Sequence, residues 1–332
     1  MPIRGMQRRT FIAALGGVAA WPLAGRAQQE QDYPARQVTL IAPWPAGGSI
    51  DTLCRALAPL LADRIGKPVV VENRAGAGSV LGTAAAAKAP PDGYTLVMAG
   101  SGSLAISAAL YKKLPYDSSK DFAPIILAAY IPFILVVNPA LPVRTIPELV
   151  QYARDNPGKV SYASGGPGSP HQLYAELLKT LTGIDLIHVP YKGNAPALTD
   201  VLAGHVPLMF SDAVTALPHI RTGKVAALGM SSAARLPSAP DIPPIAEVGV
   251  PGFDAAGWGM VVAAAGTPAP IVNRLYKELA AVLAAPEVRK KIVDLGMVPG
   301  DSPSPDKLQE FINSQRVHWA GVVEHAGLAG SE

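Results

Sequence analysis

The fold of this chain is indicated by one segment, Val38-Thr-Leu-Ile-Ala-Pro-Trp-Pro-Ala-Gly-Gly-Ser-Ile-Asp51. Its first five residues are apolar or β-branched and predict a buried strand. Prolines and the pair Gly47-Gly48 end that strand, and leucines spaced over 53–61 predict a helix beginning near Asp51. Ligands of open α/β sheets bind outside the carboxyl ends of strands, against helix N-termini. The glycines and the first-turn N–H groups therefore suit an anion. An ordinary turn with Asp51 near the N-cap is the alternative.

Residues 1–27 have the features of a secretory signal. A basic start that includes Arg8-Arg9 precedes an apolar stretch over 11–24, and small residues precede a predicted cut after Ala27. The arginine pair also fits a twin-arginine signal. The apolar run is shorter than a membrane span and is interrupted by Pro22, which argues against an anchor. We therefore predict export to the periplasm, with the route left open.

Removal of this segment changes the charge of the chain. The full sequence has 28 Lys and Arg against 25 Asp and Glu, and four of the arginines lie in 1–27. The mature chain thus has 24 basic residues and a net charge near −1, which leaves no basic patch for nucleic acid. Cys54 is the only cysteine, so no internal disulfide or cysteine zinc cluster can form. We expect a buried, inert thiol there.

Strand and helix patterns alternate along the rest of the chain, which predicts an α/β fold with mostly parallel sheets flanked by helices. Helical patterns cover 51–65, 79–88, 146–155, 170–182, 196–204 and 270–284. Segments around Tyr130–Phe133 and Gly257–Gly259 look like crossings between two domains. The sequence therefore predicts a discontinuous first domain, 28–131 with 260–332, and a second domain, 132–259. Two connections make hinge closure the easiest relative motion.

Several polar and glycine-rich segments follow predicted strands and are candidates for lining a cleft between these domains. Serine hydroxyls and glycine amides can hold a carboxylate without an arginine. Capping and turn chemistry is the alternative for each segment taken alone. The candidate ligand-binding residues are Trp44, Ala46, Gly47, Gly48, Asp51, Ser101, Ser103, Ser164, Gly165, Gly168, Ser169, His171 and Asp212.

Enzyme and metal functions find little support in the sequence. Ser169, His171 and Asp212 are the residue types of a hydrolase triad, but no G-x-S-x-G elbow follows a strand. The six histidines show no metal-binding spacing, so no metal site is predicted. The run Gly76–Gly82 loosely resembles a dinucleotide loop, but the acid expected at the end of the next strand is missing. We predict no cofactor and no catalytic residue.

The chain closely resembles the Bug family, the extracytoplasmic solute-binding components of tripartite tricarboxylate transporters. The resemblance runs from Tyr33 to about Val323. Its marks are Ala42-Pro-Trp-Pro-Ala-Gly-Gly-Ser-Ile-Asp51, Val69-Val-Val-Glu-Asn-Arg-Ala-Gly-Ala-Gly78, Pro91-Asp-Gly-Tyr-Thr-Leu96, Leu114-Pro-Tyr-Asp117, Asp121-Phe122, Gly168-Ser-Pro-His171, His188-Val-Pro-Tyr-Lys-Gly193 and Pro251-Gly-Phe253.

The resemblance implies a periplasmic, two-domain Venus-flytrap protein without enzymatic activity, which binds small carboxylates largely through main-chain groups and ordered water. The matching loops are 46–48 and 165–169, with Ser101–Ser103 and Asp212 around them, and Asp51 is expected to order the first loop. Trp44 departs from the phenylalanine usual in the family and would enlarge an apolar wall or stack on an aromatic acid. The expected partners are an organic acid and membrane transporter subunits, and the expected state is a monomer. A periplasmic sensor that presents its ligand to a signalling receptor is the alternative.

Overall fold

The computed structural model describes residues 33–301 and 303–332, so the predicted signal at 1–27 lies outside the described residues. The strands form a six-stranded sheet, in the order β11-β4-β10-β3-β1-β2, and a five-stranded sheet, in the order β7-β6-β8-β5-β9. Their bounds are β1 Val38–Ala42, β2 Val69–Asn73, β3 Thr95–Gly100, β4 Phe122–Ile131, β5 Phe133–Val137, β6 Ser161–Ser164, β7 Ile187–Pro190, β8 Leu208–Asp212, β9 Ala226–Met230, β10 Gly257–Ala264 and β11 Val298–Pro299.

The α-helices follow the strands in alternation over much of the chain. Their bounds are α1 Ser49–Ile65, α2 Val80–Ala87, α3 Ser107–Leu110, α4 Ile146–Asp155, α5 Pro170–Thr182, α6 Asn194–Ala203, α7 Ala213–Arg221, α8 Ala269–Ala284, α9 Pro286–Asp294 and α10 Pro305–His325. A 3₁₀ turn at Ala77–Ser79 precedes α2, and a π-helical turn at Gly102–Ile106 precedes α3. None of the helices within the described ranges is long and apolar enough to cross a bilayer.

Both sheets combine parallel and antiparallel pairs. The strand β1 runs parallel to β2 and β3, and β6 runs parallel to β7 and β8, as the alternation predicts. The pairs that involve β4, β5 or β10 are antiparallel, so the sheets are mixed rather than mostly parallel. These strands lie where the chain passes between the sheets. A strand that leaves a sheet and the strand that returns to it run in opposite directions when they are neighbours.

Two short segments connect the sheets. The chain leaves β4 at Ile131 and enters β5 at Phe133, and it returns just before β10 begins at Gly257. The helix α10 packs across this region. Its Trp319 stacks on Tyr174 of α5, with the ring centroids 5.5 Å apart.

The apolar core follows the two-residue period of the strands. In β5, Leu135 and Val137 belong to a buried cluster that extends through the six-stranded sheet. Ile134 and Val136 point to the other face of the sheet, into a second cluster covered by α6 and α7. Cys54 is fully buried, and burial raises the pKa of its thiol, as expected for an inert cysteine.

Candidate functional site

A cavity of about 610 Å³, counting the part open to solvent, lies where elements of the two sheets meet. The six-stranded sheet contributes the loop after β1 with the start of α1, and the loop after β3. Because β1 and β3 are parallel, their carboxyl ends reach the same sheet edge. The lining residues from the β1–α1 segment are Trp44, Pro45, Ala46, Gly48, Ser49 and Ile50. Those from the loop after β3 are Gly100, Ser101 and Gly102.

The five-stranded sheet contributes the opposite wall. Its strands β6, β7 and β8 are parallel neighbours, so α5, α6 and the end of β8 emerge at one edge. The lining residues from these elements are Pro170, His171, Asn194, Ala195 and Asp212. The crossing segments complete the cavity with Ile131, Phe133, Gly257 and Trp258.

The two walls touch each other at the rim of the cavity. A Cβ atom added to Gly193 would lie only 2.7 Å from Cγ of Pro45, so this glycine permits a close approach of the loops before α1 and α6. The rings of Trp44 and His171 meet edge to face, with centroids 6.3 Å apart. The loops of the two sheets are therefore in a closed arrangement around the cavity.

The helices that begin at the cavity differ in how their first N–H groups are satisfied. The hydroxyl of Ser169 caps α5, whose first residue, Pro170, has no N–H. The carboxylate of Asp212 caps α7 by accepting from the N–H of Thr215 at 3.0 Å. By contrast, α1 and α6 follow glycines and have no side-chain cap. The first-turn N–H groups of α1 and α6 have no intrahelical partner and carry partial positive charge.

The residues at these two uncapped starts line the cavity from opposite walls. They are Ser49 and Ile50 of α1, and Asn194 and Ala195 of α6. Because Gly193 contacts Pro45 of the loop before α1, the two walls approach each other at this point. Of the described residues that line the cavity, none is a lysine or an arginine. The arrangement suits an anion held by main-chain donors.

The loop after β1 is held in shape by Asp51. Its carboxylate accepts from the Gly47 N–H at 2.9 Å, from Arg55 Nε at 3.0 Å and from Asn73 Nδ2 at 2.9 Å. Burial raises the pKa of Asp51, but the hydrogen bonds from Arg55, Gly47 and Asn73 outweigh it and hold the pKa below its usual value. Asp51 does not line the cavity, which agrees with its expected role in ordering the loop.

A buried polar network supports the second wall. Asn194 Oδ1 accepts from the Ser211 hydroxyl at 3.1 Å and lies 3.0 Å from His171 Nε2. Asn194 Nδ2 donates to Thr215, whose hydroxyl donates to Asp212. Burial lowers the pKa of His171 to about 4, despite the opposing effects of Asp212 and Asn194, so the imidazole is neutral at pH 7. Its Nε2 then carries the proton, because Asn194 Oδ1 can only accept.

The predicted site residues fall into two groups. Those that line the cavity are Trp44, Ala46, Gly48, Ser101, His171 and Asp212. Those that do not are Gly47, Asp51, Ser103, Ser164, Gly165, Gly168 and Ser169. The amides of Gly168 and Ser169 are engaged by Gln172 Oε1 at 2.9 Å and by the Gly166 carbonyl at 3.2 Å.

The remaining residues outside the lining shape the turns around it. The hydroxyls of Ser103 and Ser164 accept from the amides of Gly100 and Gly166, at 3.3 and 3.0 Å. Gly165 has no room for a side chain, because an added Cβ would lie 2.9 Å from His171 Nδ1. In this arrangement the second wall offers the start of α6, whereas the expectation from sequence was the 165–169 loop. Sequence reasoning missed Ser49, Asn194 and Ala195, although Gly193 before α6 was a readable signal for an open helix start.

The three residues of the hydrolase-triad types have separate hydrogen-bond partners. The Ser169 hydroxyl donates to the Gly166 carbonyl at 2.6 Å, His171 pairs with Asn194, and Asp212 pairs with Thr215. No group of three or more His, Cys, Asp or Glu in residues 33–301 and 303–332 is arranged to hold a metal ion.

Comparison with known proteins identifies the family. Residues 53–328 match the family described as "Tripartite tricarboxylate transporter family receptor". The chain belongs to this family. The protein BugT of Bordetella pertussis (strain Tohama I) is 38% identical over 321 residues, which cover 96% of this chain and 95% of BugT. The resemblance to the Bug family is thus confirmed.

Solved structures of similar proteins confirm the fold of this receptor-family member. An R. palustris protein solved with adipate has a TM-score of 0.87 and 36% identity, covering 90% of this chain and 99% of its own. The protein MatC from Rhodopseudomonas palustris, solved with bound malate, has a TM-score of 0.83 and 33% identity, covering 88% of this chain and 100% of its own. The two-sheet α/β fold is that of a two-domain solute-binding protein, and members of the family are periplasmic binding proteins.

Proposed function

We propose that this protein captures a small organic carboxylate in the cavity and delivers it to the membrane subunits of a tripartite transporter. The observation that carries the proposal is the pair of uncapped helix starts, α1 and α6, which line one cavity from its two walls. The adipate and malate of the two similar structures support an organic acid as the ligand class. The description of the family supports the transporter as the recipient.

The binding mode follows from the available donors. A carboxylate at the rim would accept from first-turn N–H groups of α1 and α6, and Ser49 and Ser101 belong to the same lining. The Ser49 hydroxyl is buried without a hydrogen-bond partner in the described part of the chain. Each charge-assisted hydrogen bond is worth roughly 1.5–3 kcal/mol, so a few of them suffice without an ion pair.

Closure follows from the same geometry. We propose domains at 28–131 with 260–332 and at 132–259, with the hinge at the crossings before β5 and before β10. The division of strands between the two sheets supports these boundaries. A carboxylate that touches both helix starts has contacts in the closed state that the open state lacks, so it favours closure. We further propose export through cleavage after Ala27, a monomeric state and binding without chemical conversion of the ligand.

Matched pairs of acids and methyl esters test the proposal. A thermal-shift screen of mono- and dicarboxylic acids identifies a ligand, because an acid at 100 times its Kd stabilises by about 2.7 kcal/mol. The methyl ester of the best acid should bind at least about tenfold more weakly, since it lacks the anionic oxygens. Small-angle scattering should show a smaller radius of gyration with the acid. Equal binding of acid and ester would contradict the carboxylate proposal, and binding without compaction would contradict closure.

A further inference from the structure

Asp212 lines the cavity, and none of the described residues that line it is a lysine or an arginine. The residue is 4% exposed. Oδ1 accepts from the N–H and hydroxyl of Thr215. Oδ2 accepts no hydrogen bond from residues 33–301 and 303–332, and Asp212 forms no salt bridge with them. A buried carboxylate with a free oxygen requires a donor.

The polar side chains near Asp212 already form hydrogen bonds with one another. His171 pairs with Asn194, and Asn194 Nδ2 donates a hydrogen bond to the Thr215 hydroxyl. His171 is neutral at pH 7 and therefore does not balance the charge of Asp212. The free oxygen of Asp212 can thus accept a hydrogen bond from a donor on the ligand. A ligand carboxylate at the same place would be repelled by the like charge of Asp212 at short range.

Much of the remaining lining of the cavity is apolar. Trp44, Ile50, Phe133 and Trp258 supply this surface. The described donors that suit an anion are the main-chain groups at α1 and α6, and the carboxylate of Asp212 suits a donor. A ligand in the cavity therefore meets main-chain donors, the acceptor Asp212 and an apolar surface.

We propose, on the basis of the carboxylate-binding function above, that Asp212 makes this protein select monocarboxylates whose second polar group donates a hydrogen bond, such as a hydroxyl or ammonium group. Dicarboxylates are disfavoured at neutral pH because their second carboxylate faces Asp212. This preference would separate the protein from its relatives solved with adipate and malate.

Three sets of size-matched acids test the preference by isothermal titration calorimetry at pH 7.5. They are butyrate, 4-hydroxybutyrate and succinate; hexanoate, 6-hydroxyhexanoate and adipate; and 4-methylbenzoate, 4-hydroxybenzoate and terephthalate. In the set that binds best, the hydroxy acid should bind at least about tenfold more tightly than the dicarboxylate. A dicarboxylate that binds as tightly as its hydroxy acid would overturn the inference. If no acid in any set binds, the proposed function itself fails.

The variant Asp212→Asn tests whether Asp212 is the cause. Asparagine is a good N-cap residue, so α7 keeps its cap and the midpoint of thermal unfolding should change little. The advantage of the hydroxy acid over the dicarboxylate should shrink at least about fivefold, because the charge repulsion is removed. The matched control, Asp63→Asn, removes an exposed charge from α1 and should leave the ratio unchanged. An unchanged ratio in folded Asp212→Asn would also overturn the inference.

Discussion

The substitution Gly48→Val tests the role of the uncapped start of α1 apart from folding. Gly48 has φ −84° and ψ 175°, an extended conformation open to any residue, and an added Cβ would meet no atom within 4 Å. The positive φ in this turn belongs to the neighbouring Gly47, with φ +89°. The free energy of unfolding of Gly48→Val should therefore change by less than about 1 kcal/mol.

Ligand affinity should fall much further than stability. Gly48 lines the cavity at the N-cap of α1, so an isopropyl group there occupies the space next to the donors of Ser49 and Ile50. Loss of one charge-assisted hydrogen bond, roughly 1.5–3 kcal/mol, corresponds to a decrease in affinity of about tenfold to a hundredfold. Urea unfolding gives the stability, and calorimetric titration with the best acid of the screen gives the affinity.

The neighbouring glycine provides the control. Gly47 does not line the cavity, and alanine at its positive φ costs roughly 1–2 kcal/mol. Gly47→Ala should therefore lose stability and keep its affinity, the reverse of the result for Gly48→Val. Wild-type affinity in folded Gly48→Val would refute the assignment of the α1 start as the anion site.

Two further predictions concern closure and pH. Gly193→Ala places a Cβ 2.7 Å from Pro45 Cγ, so it should weaken affinity and reduce compaction in scattering experiments, whereas Gly183→Ala, at an open left-handed position, should lower only stability; equal affinities of the two variants would contradict the contact's role in closure. The pKa of His171 is about 4 in the fold against about 6.5 unfolded, so the unfolded state binds the proton first as pH falls. Stability should drop between pH 6.5 and 4, by roughly 3 kcal/mol from this residue. In urea unfolding, His171→Gln should lose less stability over that range, and an equal loss would contradict the assignment.

Helices that begin with a capping residue and a proline in the first turn could be predicted from the sequence. The predicted helices 146–155 and 170–182 have the bounds of α4 and α5, because Thr145 and Ser169 cap them and Pro follows at the first turn. The helix α7 was missed, since Pro218 lies inside it. The helix α10 was also missed, although Leu308, Ile312, Trp319 and Val323 are buried on one helical face. The antiparallel strands could not be predicted from alternation, because their direction depends on where the chain passes between the sheets.

Part of the site could also be predicted from the sequence. Gly48, Ser101 and Asp212 were identified because they lie at or after strand ends, and parallel strands end at one edge of a sheet. The number of free donors at each helix start depends on local capping, which the expectation for the 165–169 loop did not take into account. Ser169 followed by Pro170 is a capped helix start in sequence terms, and that pattern argued against a donor role.

Capping explains why two glycines, rather than serine or aspartate, precede the helices that face each other across the cavity. A side-chain cap at Gly48 or Gly193 would take up the first-turn N–H groups that an anion needs. A glycine at the N-cap costs only a few tenths of a kcal/mol of helix stability relative to a good cap. At Gly193 the missing side chain also allows the contact with Pro45 of the loop before α1. The same absence of a Cβ thus leaves donors free and lets the walls meet, whereas Asp212 caps the start of α7 and puts a negative charge there.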